Sequence, residues 1–183
     1  MMIYGKRIRL RGVEQEDLIQ FVTWLNDPEV IANLEMYRPL SMAEEQHWYE
    51  GMLKRPPDER PLVIEISEGD GWRMIGNLSL LNIDWRNRSA EVGIFIGDKS
   101  CWNQGYGTEA MKLMLRHAFE MLNLNRVYLR VYETNPRAIR AYQKAGYVVE
   151  GRDRQGEYRN GKYWDVIRMS VLREEWKSAE DQG

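Results

Sequence analysis

Two short segments of this chain carry residue types that can do chemistry, and a helix and a strand lie between them. The first reads Trp102-Asn103-Gln104-Gly105-Tyr106-Gly107-Thr108 and runs into an amphipathic stretch. Glycine lets a backbone approach a ligand and take unusual dihedrals. The N–H groups that open a helix lack intrahelical partners and suit phosphate oxygens. The second segment, Asn135-Pro136-Arg137-Ala138-Ile139-Arg140-Ala141-Tyr142, begins with cap chemistry and ends in a tyrosine. A phosphate seat followed by an ionisable phenol suggests an enzyme that holds a pyrophosphate cofactor and moves protons nearby.

A tight strand-to-helix turn would use the same glycines, so the first segment is ambiguous alone. A Walker loop requires Gly-Lys-Ser/Thr, and the lysine is missing here. A Rossmann fingerprint requires a third glycine where this chain has Ala110. The preceding strand, Ile94-Phe95-Ile96, leads straight into the turn. Its backbone amides could pair with those of a pantetheine arm, as an added strand would.

These segments need elements to hold them. Ile8 to Arg11 alternates apolar and basic residues, as an edge strand does. Glu14 to Leu25 reads as a helix with Leu18, Phe21, Val22 and Leu25 on one face, broken by Asn26-Asp27-Pro28. Ser41 and Glu44 form a capping-box pattern ahead of a helix over Glu44 to Lys54, which Pro56-Pro57 stops. Strands follow over Leu62 to Ile66 and Arg73 to Leu81, joined at Asp70-Gly71, with another turn at Asn87-Arg88. Ala90, Val92, Ile94 and Ile96 alternate with Glu91, Gly93, Phe95 and Gly97, so Glu91 lies opposite an aliphatic face.

The spacing of Ala110, Met114, Ala118, Met121 and Leu122 predicts a helix over Thr108 to Leu122. Arg126 to Tyr132 is a strand. Asn135 caps a helix that Pro136 starts and Gly146 ends. Tyr147 to Glu150 starts another strand, Asn160-Gly161 marks a hairpin turn, and Trp164 to Leu172 is the final strand. The resulting order predicts an α/β fold in which helices pack on a mixed sheet.

Composition narrows the class. A chain of 183 residues with 30% charged residues is most simply one globular domain. A formal net charge of −2 gives no general electrostatic case for nucleic acid. The one cysteine, Cys101, excludes an internal disulfide framework and most cysteine metal sites, and no metal is expected. No apolar run of about 18 residues is present and no apolar signal core, so the expectation is no membrane span and the cytoplasm.

The two segments at this spacing resemble the GNAT N-acetyltransferase family, over residues 6–172. The similarity is to the branch related to ribosomal-protein N-terminal acetyltransferases and spermidine acetyltransferases. The family's cofactor motif, Arg/Gln-x-x-Gly-x-Gly/Ala, falls on Trp102 to Gly107, with Trp102 at the position of Arg or Gln. The segment from Asn135 to Tyr142, followed by Ala145-Gly146-Tyr147, resembles its second signature. The resemblance implies a mostly antiparallel twisted sheet flanked by helices. It implies one acetyltransferase domain over 1–176, with a frayed polar tail at 177–183. It implies acetyl-CoA (coenzyme A) as donor, its pyrophosphate on amides from Gln104, Gly105, Tyr106, Gly107 and Thr108. Pantetheine would run along Ile94, Phe95 and Ile96, and Asn135 would lie near the cofactor arm. Glu109 places negative charge close to that phosphate, and the expectation is that it points outward.

Direct attack by an amine needs a base and can use an acid for the departing thiolate. Tyr142 follows Asn135 by two helical turns. The resemblance implies that its phenol lies near the cofactor sulfur as the acid; a buried core tyrosine is the other reading. Glu91 could activate the amine or orient a water, or be a solvated strand residue. His47 and His117 suit structural or exposed roles, and Cys101 a small buried residue rather than a nucleophile.

Residues 14–59 hold eleven acidic residues and three basic ones, an excess of eight negative charges. The family's early helices border the acceptor cleft, so a negative rim there would draw cationic amines; two ordinary solvated helix faces would look the same. The implied acceptor is a small-molecule or peptide primary amine: a polyamine, an aminoglycoside or amino sugar, or a protein N-terminus. The competing reading is a noncatalytic acyl-CoA-binding or sensor module. The aromatic content and the family make a homodimer plausible.

Overall fold

The structure is a computed structural model that describes residues 2–176. The tail expected to fray, 177–183, lies outside the described residues. Eight strands form one sheet in the order β1-β2-β3-β4-β5-β6-β8-β7. They are β1 (Ile3–Tyr4), β2 (Ile8–Gly12), β3 (Leu62–Glu68), β4 (Gly71–Asp84), β5 (Ser89–Ile96), β6 (Arg126–Tyr132), β7 (Val148–Arg159) and β8 (Lys162–Leu172). The helices are α1 (Leu18–Trp24), α2 (Pro28–Ile31), α3 (Met42–Met52), α4 (Tyr106–Arg116) and α5 (Pro136–Ala145). The predicted α/β class and element order hold.

The described residues group into two compact units, one within residues 2–80 and 93–110, the other within 81–92 and 111–176. In the first, β2 pairs antiparallel with β1 and β3. It is therefore an inner strand, not the predicted edge. Alternation reports two faces of a strand but not its neighbours, and a two-residue β1 leaves no pattern to read. Glu68 pairs with Gly71, so the hairpin turn is Gly69-Asp70, one residue earlier than predicted, and Gly69 takes the positive φ of 58°. Val13, Leu18, Phe21, Trp24, Val30, Met52 and Val63 form this unit's hydrophobic cluster. The predicted first helix is split: a 3-10 turn over Gln15–Asp17 precedes α1. Asp27 both breaks α1 and caps α2, accepting from the Glu29 N–H at 2.9 Å. The capping box at Ser41 and Glu44 is formed, so α3 begins at Met42.

In the second unit β6 pairs antiparallel with β8, and β8 with β7. The parallel ladder between β5 and β6 holds three pairs, Ser89↔Arg126, Ala90↔Val127 and Glu91↔Tyr128, and no more among the described residues. The helical stretch after Arg116 widens into a π turn over His117–Met121, with the Leu122 N–H reaching the His117 carbonyl. The extra residue rotates the stripe by about 100°. Met121, predicted on the buried face, is therefore exposed, while Phe119 is fully buried. Asn160 and Gly161 turn the last hairpin with φ of 53° and 78°.

Candidate active site

The glycine turn is assembled from β5 onward. Asp98 caps a 3-10 turn over Lys99–Cys101, accepting from the Ser100 N–H at 2.9 Å, and the Arg73 guanidinium bonds its other oxygen. The Gly97 and Asp98 amides both donate to the Ile75 carbonyl, at 2.8 and 3.1 Å. Trp102, which replaces the family's polar residue, donates its indole N–H to the Ile96 carbonyl at 2.8 Å. The departure from the motif thus fixes the turn onto the strand that precedes it. Asn103 and Gly105 take φ of 61° and 85°, values that asparagine and glycine tolerate best.

The helix begins earlier than the apolar stripe predicted. α4 opens at Tyr106, and its first intrahelical bond runs from the Glu109 N–H to the Gly105 carbonyl, 3.0 Å. Gly107 is therefore a helical residue. A Cβ there would meet only Ile96 Cγ1, at an ordinary 3.9 Å. Helical glycine costs about 1 kcal/mol relative to alanine, and nothing among the described residues requires it here. The open space fits a ligand seated on the helix N-terminus.

Glu109 does not point outward into solvent. The Arg7 backbone N–H and Nε both donate to its carboxylate, at 2.8 and 2.9 Å. Arg7 also donates from Nη1 to the Gln104 carbonyl at 3.1 Å, and its guanidinium lies 4.6 Å from the Tyr106 ring centre. A cation thus sits at the turn and neutralises the carboxylate that would repel phosphate. Sequence reasoning missed Arg7, which is 102 positions away.

Several of the other predicted cofactor residues have partners within the protein. Gln104 folds its side-chain amide back onto the Ser100 carbonyl. Phe95 turns its ring into the hydrophobic cluster, edge-on to Phe21 at 6.2 Å and to Trp24 at 6.3 Å. Ile94, Ile96, Tyr106 and Thr108 are half-buried. The short ladder to β6 leaves the backbone beyond Glu91 unused by that pairing. Asn135 is a helix cap, its Oδ1 accepting from the Ala138 N–H at 3.1 Å.

In the second unit Glu91 is half-buried, with the Asn82 side-chain amide 3.4 Å from its carboxylate and Tyr128 opposite it in register. Burial raises the Tyr128 phenol, and the Glu91 charge raises it further. Tyr142 is half-buried on α5. Desolvation pushes its phenol up to about 12, against a smaller opposing pull from Arg137. It therefore holds its proton at neutral pH, as an acid must. An open groove of about 550 Å³ in this unit is lined by Glu133, Ile139, Gly151, Arg152 and Ile167 among others, and by none of the predicted site residues. Its polar groups are already spent, since the Glu133 carboxylate takes the Asp165 N–H at 2.8 Å and Arg152 at 3.2 Å.

Of the acidic residues over 14–59, Asp17 is bound by Arg11, Asp27 and Glu29 by Lys99, and Glu44 by Arg38. Glu16, Glu35, Glu50 and Asp58 are exposed. Glu45 is different: only 5% exposed, with its carboxyl pushed up to about 7 by burial. His47 is exposed, His117 lies in the π turn, and Cys101 is buried with Arg73 Nη2 at 3.8 Å. Among the described residues no group of His, Cys, Asp and Glu could hold a metal, and no helix is long and apolar enough to cross a membrane.

The chain is similar to known proteins over most of its length. The acetyltransferase (GNAT) domain profile matches residues 7–148. The spermidine N(1)-acetyltransferase of Escherichia coli is 31% identical over 170 residues, covering 92% of this chain and 88% of that one. The Vibrio cholerae spermidine N(1)-acetyltransferase is 29% identical over 172 residues, 94% of this chain and 96% of its own. A crystal structure of the Vibrio cholerae spermidine N-acetyltransferase in complex with CoA and spermine superposes with a TM-score of 0.82 at 29% identity, covering 93% and 98% of the two chains.

Proposed function

The chain belongs to the GNAT acetyltransferase family and is an acetyl-CoA-dependent amine N-acetyltransferase, and from that premise we propose that its acceptor is a cationic primary amine, with Tyr142 as general acid and Glu91 as assisting base. The observation that carries the cofactor reading is the turn at residues 103–107. Two left-handed residues, a helix N-terminus with a glycine nothing internal requires, and Glu109 neutralised by Arg7 together suit a diphosphate. Acetyl-CoA supplies an activated thioester, so no covalent enzyme intermediate is needed.

The chain's own residues then have three tasks. The amides around Gly105 to Thr108 hold the phosphates, while the backbone of Ile94 to Ile96 offers an unfinished edge to the amide-bearing arm. Glu91 accepts a proton from the amine, directly or through water. Tyr142 gives its proton to the departing sulfur. The cationic acceptor rests on the exposed carboxylates of residues 14–59 and on the spermidine acetyltransferases among the relatives.

We extend the reading to a single functional domain over 1–176, a cytoplasmic location and a homodimer. β7 ends the sheet order, with Val148 and Val149 about half exposed on it. An outer strand bearing apolar side chains is a natural surface for a second copy.

Mixing the protein with acetyl-CoA and a panel of polyamines, aminoglycosides, amino sugars and N-terminal peptides should release free thiol, most with the polyamines. Tyr142→Phe should lower kcat by about 100-fold while calorimetry shows coenzyme A binding unchanged. Full turnover in that variant would remove Tyr142 from the acid role.

A further inference from the structure

Tyr147 directly follows the left-handed cap of α5. Gly146 takes a φ of 105°, and the Tyr147 N–H turns back to donate to the Tyr142 carbonyl at 3.0 Å. The two rings are thereby held 6.1 Å apart, centre to centre, at 57°. Tyr147 is 3% exposed, and its hydroxyl is buried with no hydrogen-bond partner among the described residues.

Leaving a buried hydroxyl without a partner is unfavourable. Phenylalanine would fill the same space without that cost. The oxygen therefore calls for a state in which it finds a partner. Two polar side chains bear on the pair: Arg137, half-buried earlier on α5, and the Tyr142 phenol itself. Burial raises the Tyr147 phenol well above its usual value, and the neighbouring Tyr142 raises it further. Burial thus keeps the proton on Tyr147, which can act as a donor to its neighbour.

We propose that Tyr147 is a positioning residue for the general acid: its hydroxyl donates a hydrogen bond to the Tyr142 oxygen once that oxygen becomes charged. The Tyr142 O–H bond breaks as its proton forms an S–H bond on the departing sulfur, and the electron pair stays on the phenol oxygen. Tyr147 stabilises that phenolate in a site with little water. Solvent, which receives the proton taken from the amine, returns one to Tyr142. The inference rests on the reading of Tyr142 as the acid.

Tyr147→Phe keeps the ring and removes only the hydroxyl. With difluorotyrosine at position 142, whose lower phenol pKa keeps the titration within the range of folded protein, fluorine NMR reads the coupling without any turnover. The phenol at 142 should titrate about one pH unit higher in Tyr147→Phe. In the unlabelled variant kcat should fall about tenfold, and its basic limb should move to higher pH with KM for acetyl-CoA unchanged. An unmoved titration with a higher Tm would overturn the proposal and leave the hydroxyl a packing defect. Full turnover in Tyr142→Phe would instead overturn the acid assignment beneath it, and the NMR titration tells these two failures apart.

Discussion

Glu45 is the residue whose surroundings oppose its chemistry most. It shares a face of α3 with Trp48, Tyr49 and Met52. Its carboxyl is raised to about 7, whereas in the unfolded chain it should titrate near the usual value of about 4.3. The folded protein therefore keeps a proton that the unfolded chain has lost, and this group's stabilisation is complete at low pH and lost as pH rises through about 7. Glu45→Gln, neutral throughout, should be more stable than the parent at pH 8 by up to about 3 kcal/mol. At pH 4 the two should agree closely in urea unfolding. Equal stability at both pH values would show that the buried carboxyl is solvated or paired. Arg7 and Glu109 teach the converse lesson. Their charges looked unrelated in the sequence, yet the contact turns an unfavourable carboxylate into part of a neutral wall. Arg7 is about half exposed, so its value lies in local charge more than in stability.

At the scale of elements, two glycines two residues apart do different jobs. Gly105 holds a left-handed conformation with Arg7 Nη2 3.3 Å from where a Cβ would stand. Gly105→Ala should lose about 1–2 kcal/mol of stability as well as cofactor affinity. Gly107 lies in regular helix with room beside it. Gly107→Ala should raise Tm slightly and still weaken coenzyme A binding about tenfold or more, as read by calorimetry. Unchanged affinity there would mean that the phosphates sit elsewhere. The caps of α5 were legible because Asn-Pro and Gly encode their own geometry: Asn135 accepts from Ala138, and Gly146 is left-handed. That same cap chemistry occupies Asn135 Oδ1, which the family resemblance had placed near the cofactor arm. The π turn after α4 was not legible, because a one-residue insertion in the hydrogen-bond ladder leaves the composition of a helix unchanged.

At the scale of the whole molecule, the outer strand makes the testable statement. If β7 carries a homodimer, sedimentation should give about twice the chain mass at micromolar concentration, and Val149→Lys should return it to the monomer. A monomer across that range would remove the dimer from the reading. The two sheet halves also differ in how plainly they could be read. β6, bounded by Asn125 and the Glu133-Thr134-Asn135 turn, ran over the predicted residues without change. β7 starts within Tyr147 to Glu150 as expected and runs on to Arg159; its extent was not legible, because it is exposed over most of its length and carries register shifts between Val149 and Gly151 and between Asp153 and Glu157. An exposed, bulged strand has no alternation to read.

The sequence by itself determined the family, the donor cofactor, the order of the main elements and the local geometry at the Asn135 and Gly146 caps and the Asn160-Gly161 turn. Proline fixes φ, and glycine and asparagine are the residues that best tolerate a positive φ, so their positions mark turns and caps in the sequence. Only the tertiary structure decided which distant side chains answer one another: Arg7 against Glu109, Trp102 on the Ile96 carbonyl, Glu45 stripped of water, and Tyr147 buried beside Tyr142 with its hydroxyl unmet. Charge and hydrogen bonding act through space, over a few ångströms that sequence separation does not measure.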